Sequence, residues 1–168
     1  LGECRIRSGA GDIDLSEARA IDVVTGLGAI SAGHVSGDAT CTTGSGSVRV
    51  SQVDGNTRVK NSNGDTWLGD AGAAVTVKSS NGSIRVDRAR ASVKAATANG
   101  DVSVGSAEHG AVDLKTALGR IEVGVAAGTA AHAVVAAAGL DVVGTGVAGQ
   151  RVVEIRTPQV LDIGQGVV

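Results

Sequence analysis

The residues able to do acid–base, nucleophilic or metal chemistry are few and scattered in this chain. His34, His109 and His132 fall at unrelated phases of the sequence, so no metal-ligand spacing is assembled. Asp12 and Asp14 share one strand face at ~7 Å, a separation that inverting glycoside hydrolases use between acid and base. No aromatic residue flanks them to form sugar subsites. Cys4 and Cys41 both fall on the apolar phase of short alternating segments, two repeats apart, ~10 Å or more and beyond disulfide reach. They are expected as free, buried thiols. No Ser, His and Asp set converges, so the sequence predicts neither enzyme activity nor a cofactor.

The remaining chemistry is electrostatic. Outward positions before a recurring turn carry Arg5, Arg7, Arg58, Lys60, Lys78, Lys94 and Lys115, broken by Asp22 and Asp113. Outward positions after the turn carry Asp12, Asp14, Asp65, Asp101 and Glu122, mixed with Arg49, Arg85 and Arg120. One face is therefore net basic and suits an acidic polysaccharide or another anionic polymer. The competing reading is a solvated sheet whose charges are merely spaced from coil to coil. Trp67 is the single aromatic residue, points outward in the alternation, and falls between Arg49 and Arg85 of the neighbouring repeats. Those arginines are expected to sandwich the indole by cation–π contact; left uncovered, Trp67 would be a stacking or docking contact. The candidate interaction face is thus Arg7, Arg58, Lys60, Lys78, Lys94, Lys115 and Trp67.

These side chains are positioned by a repeat. Gly11, Gly28, Gly46, Gly64, Gly82, Gly100, Gly119 and Gly139 close a turn phrase spaced 17 to 20 residues apart. Around each glycine, apolar residues alternate with polar ones on two short segments, such as Ile84 and Val86 after Gly82 and Val75 and Val77 before it. That is the period of β-strands, with the β-branched enrichment strands favour. A column of small residues, Ala18, Val35, Val53, Ala71, Ala89, Ala107 and Ala126, marks a tight corner. Strand, turn, strand and corner make one coil, and stacked coils bury a thin core. The predicted fold is an all-β, single-stranded parallel β-solenoid of about nine coils of ~18 residues, wound right-handed as parallel crossovers are. Residues 1–150 form the repeat domain and 151–168 its terminal coil or cap, with Pro158 at a turn and an extra residue near Gly139 restoring the phase.

Composition agrees with a thin-walled fold. The 168 residues include 26 Gly, one Trp, and no Phe, Tyr or Met, so any core is built from Val, Ile, Leu and Ala. A net charge of −2 argues against a nucleic-acid binder. No apolar run reaches the ~20 residues of a membrane-spanning helix, and no leader opens the sequence. The missing aromatic interleaving also argues against single-stranded nucleic acid.

The phrases SNGDTWLGDAGAAVTVKSSNGSIRVD, TANGDVSV and GRIEVGVAAGTAA resemble a bacterial adhesin-type β-strand-repeat domain of unknown function, common in actinobacteria. The likeness spans about residues 4–131. More distantly, the turn phrase resembles bactofilin-like solenoids. The resemblance implies a solenoid with a surface or scaffold role and supplies no catalytic residues. Two readings follow. The first is a non-catalytic module that binds a protein or anionic polysaccharide through a flat face. The second is a scaffold that assembles end to end, because solenoid ends expose strand edges and neither terminal segment reads as a polar cap. The compartment is expected to be the cytoplasm or the surface of a bacterial cell.

Overall fold

A computed structural model describes residues 2–108, 110–125, 130–135 and 142–146. Every regular element among them is a β-strand, and the strands sort alternately into two sheets. The first sheet holds β1 (Glu3–Ala10), β3 (Ala20–Leu27), β5 (Ala39–Ser45), β7 (Thr57–Asn63), β9 (Val75–Asn81), β11 (Val93–Asn99), β13 (Ala111–Leu118) and β15 (Ala130–Val135). The second holds β2 (Ile13–Ala18), β4 (Ile30–Val35), β6 (Val48–Val53), β8 (Thr66–Ala71), β10 (Ile84–Ala89), β12 (Val102–Ala107), β14 (Ile121–Val125) and β16 (Val142–Gly146). All pairings are parallel between successive coils, as in Val77 beside Val59 and Ala95. The result is a parallel β-solenoid of about seven turns. The terminal coil expected over 151–168, with Pro158, and the turn at Gly139 lie outside the described residues. Val142 nevertheless pairs with Ile121, the core column that an extra residue near Gly139 predicts for it.

The alternation in the sequence becomes the inside and outside of the coil. Ile30, Val48, Ile84, Val102 and Ile121 are buried from the second sheet, facing Val23, Val59, Val77 and Leu114 from the first. The corner column is buried at Ala18, Val35, Val53, Ala71, Ala89 and Ala107. Cys41 is buried in this core and Cys4 is half-buried in the first coil; both thiols are free, as expected. At the turn, Gly82 has a φ of 133°, a region that side chains disfavour. A Cβ there would also run into the Gly64 carbonyl of the preceding coil, so stacking itself demands glycine.

Polar columns tie the coils together at both rims of the turn. Inside it, Thr43, Asn61, Thr97 and Thr116 donate to the carbonyls of Gly28, Gly46, Gly82 and Gly100, each one coil back. Ser79 breaks this pattern because Asn61 also donates to the Gly64 carbonyl at 2.8 Å, the acceptor Ser79 would use. The Ser79 hydroxyl is left buried without a partner. Outside the turn, Asn81 donates to Asn63 and Asn99 donates to Asn81, forming an amide ladder. Asp12, Asp65 and Asp101 accept the backbone N–H of Ala29, Ser83 and Arg120 in the next coil. These aspartates, Asp12 among them, are stacking caps.

Candidate functional site

The parallel register decides which cations of the first sheet meet. Arg58 and Lys94 are the two strand neighbours of Thr76, on either side of it. Lys60 lies directly opposite Lys78, two residues along the same outward face. Arg58, Lys60, Thr76, Lys78 and Lys94 line a shallow groove of about 410 Å³ floored by Val59, with no carboxylate in its lining. All four cations are exposed, and none forms an ion pair among the described residues. Like charges directly opposite on adjacent strands are destabilising. Elsewhere on the surface some cations are paired: Arg5 with Asp22 at 3.2 Å, Arg85 with Asp87 at 3.1 Å and Arg90 with Asp70 at 3.1 Å.

The other expected members of this face do not join the groove. Lys115 follows Lys78 in its column only after Ala96, and its ammonium sits 3.8 Å from Asp113. Arg7 is separated from Lys60 by Val24 and Thr42 in the same column. Trp67 belongs to β8 and therefore stands on the second sheet, not with the cations. Its column in the sequence, beside Arg49 and Arg85 after the turn, already belongs to that sheet. Arg49 lies over the indole at 5.8 Å from the ring centroid, as expected. Arg85 does not complete the sandwich. Asp87 draws it away and also accepts the indole N–H at 3.0 Å, so the half-buried ring is held in place by a carboxylate.

Two groupings escaped the sequence reading. Thr76 is legible in hindsight, since positions 58, 76 and 94 are spaced by one coil, but an uncharged residue drew no notice. At the corner after the second sheet, His34 Nε2 lies 3.1 Å from Asp54 Oδ2, its Nδ1 lies 3.8 Å from Glu17, and Gln52 donates to Asp54 at 3.1 Å. The hydrogen bond from Gln52, and then that from His34, hold the Asp54 carboxyl below its ordinary range. These partners come from three successive coils, so nothing local in the sequence announces them. Among the described residues, no group of three or more His, Cys, Asp or Glu is placed to hold a metal ion, and no helix is long and apolar enough to cross a membrane.

This architecture, two parallel sheets stacked on a turn-glycine ladder, accompanies a family match. A family model described as Toastrack DUF4097 matches residues 1–157. The chain belongs to the Toastrack family. No curated protein and no solved structure matches it. Toastrack is a family of uncharacterised function with a solenoid-like fold, so membership accounts for the coils and leaves the charged groove to be explained from its own chemistry.

Proposed function

We propose that this Toastrack chain is a non-catalytic, adhesin-like interaction module that holds an anionic polysaccharide or related polymer against its first sheet. One observation supports this above all: Arg58, Lys60, Lys78 and Lys94 crowd one groove without a carboxylate, although the chain as a whole is slightly acidic. Such an arrangement raises the local concentration of a polyanion, and its affinity comes from charges gathered along the solenoid axis. A rigid stack suits the task, because cations on neighbouring strands keep a fixed spacing of ~4.8 Å without ordering a loop. The role puts the module at a bacterial cell surface. Right-handed winding and a ninth coil over 151–168 belong to the same proposal, the first on the general preference of parallel crossovers.

The test is binding of dextran sulfate and polygalacturonate to the wild type and to Lys60→Glu/Lys78→Glu. The double variant is expected to lose at least about tenfold in affinity for both polymers, since each reversal replaces attraction by repulsion. Lys115→Glu is expected to cost much less, because Asp113 already offsets that charge. Unchanged binding in the double variant would sink the proposal.

End-to-end assembly is the second reading, because the parallel pairing that joins successive coils can continue between chains. A monodisperse monomer by light scattering at high concentration would dispose of it.

A further inference from the structure

The groove has a centre, and that centre is a hydroxyl. Thr76 is half-buried between Arg58 and Lys94, each one strand spacing away at ~4.8 Å, and Lys78 follows two residues on at ~6.6 Å along the same face. The Thr76 side chain makes no hydrogen bond with any described residue, unlike the buried threonines of the turn column. Cations therefore surround a free donor on three sides, with Lys60 behind Lys78. Beyond Lys94 the column turns acidic at Asp113, and beyond Arg58 it turns neutral at Thr40. The cluster is thus a bounded seat about two coils long rather than an endless basic stripe.

We propose that this seat takes a tetrahedral oxyanion ester carried on a glycan, a phosphomonoester or a sulfate half-ester, with Thr76 as its hydrogen-bonding floor. The inference rests on the polyanion reading of the first sheet and narrows its ligand. The geometry selects the class by counting oxygens. A carboxylate offers two oxygens in one plane, and a phosphodiester offers two terminal oxygens. A monoester or sulfate offers three, enough to engage Arg58, Lys94 and the Thr76 hydroxyl at once while Lys60 and Lys78 neutralise the remaining charge. The arginine suits the oxyanion as a two-pronged donor, and the lysines act as point charges.

The experiment is isothermal titration of four polymers of matched length and charge: phosphorylated dextran, dextran sulfate, polygalacturonate and poly(glycerol phosphate). The proteins compared are the wild type, Thr76→Val, Thr76→Ser and Lys60→Glu/Lys78→Glu. One or both of the first two polymers should bind about tenfold tighter than the last two, the factor that one hydrogen bond to a charged acceptor is worth. Tighter binding of phosphorylated dextran alone assigns the phosphoryl group, and of dextran sulfate alone the sulfuryl group. Thr76→Val should remove that preference, and Thr76→Ser should restore it. Equal binding of all four polymers, or a Thr76→Val variant that keeps the preference, overturns the oxyanion seat. If the double charge reversal still abolishes binding in that case, the polyanion reading stands alone. Failure of every polymer to bind overturns both.

Discussion

Two hydroxyls in the core are placed where they do no evident good. Thr57 and Thr66 are both buried, and neither side-chain oxygen has a hydrogen-bond partner. Burying an unpartnered hydroxyl costs ~1–3 kcal/mol, so Thr57→Val and Thr66→Val should each raise unfolding stability by about 1 kcal/mol in urea titration. Destabilisation would mean that the hydroxyls are bonded after all. Cys41 makes the opposite point. Burial, with a smaller push from Asp22, drives its thiol up to about 12. The unfolded thiol ionises near ~8.5, so Cys41 contributes stability that is complete below that pH and fades as pH rises toward 12. In native protein an aromatic disulfide reagent should therefore modify half-buried Cys4 and leave Cys41 until the chain unfolds. At the acid end, Asp54 is held below its usual value by Gln52 and His34, so its contribution is present above the ordinary carboxylate range and is lost as pH falls through the lowered one. Asp54→Asn should flatten that acid limb, while a limb of unchanged slope would assign it to other carboxylates.

At the scale of the strand and its turn, the fold is held by ladders that repeat once per coil. The outer amide ladder runs through three Asn-Gly pairs, the sequence most prone to succinimide formation, in which the glycine nitrogen attacks the asparagine carbonyl carbon and ammonia leaves. Here the attacking nitrogens of Gly64, Gly82 and Gly100 are all engaged in hydrogen bonds to the next coil at 2.8 to 2.9 Å. The leaving amides of Asn81 and Asn99 are engaged as well, whereas that of Asn63 donates to no neighbour. Ageing of folded protein should thus deamidate Asn63 first, about tenfold ahead of Asn81, the value of one hydrogen bond, and urea should erase the difference. Peptide mass mapping reads this directly; equal rates in the folded state would show that the ladder protects nothing. On the inner rim, Asn61→Thr should free the Gly64 carbonyl for Ser79 and preserve stability to within about 1 kcal/mol, despite the loss of one amide bond.

Across the whole molecule, contacts run from each coil to its neighbours, which makes stability nearly a sum over coils. Deleting residues 29–46, one full period ending at the turn glycine, should leave a folded solenoid with an intact cationic groove and a modestly lower melting temperature. Deleting residues 29–37 instead removes half a period and would send strands of the second sheet into the first. Circular dichroism should report a cooperative β-transition for the first deletion and none for the second. Equal behaviour of the two would contradict the one-dimensional picture. The same geometry explains how a slightly acidic chain presents a basic patch: sheet alternation separates charges by face before any pairing occurs.

The coil, its turn glycines, the inward columns and the outward charges were all legible in the sequence, because each follows from a period-2 strand repeated about once per ~18 residues. Even the free thiols at Cys4 and Cys41 follow from that arithmetic. What only the tertiary structure decided is which neighbour each side chain bonds, on its own strand or in the next coil. Asp87 takes Arg85 from Trp67, Asp113 takes Lys115 from the basic column, and Asn61 takes the carbonyl that Ser79 needed. Each is a choice between partners, settled by distances of a few ångströms along or across strands. A repeat specifies which residues are neighbours, but the reach and rotamer of each side chain determine which neighbour it bonds. For that reason the cation groove around Thr76 emerged from the register, as the one place on the first sheet's described surface where four positive charges gather with no carboxylate among them.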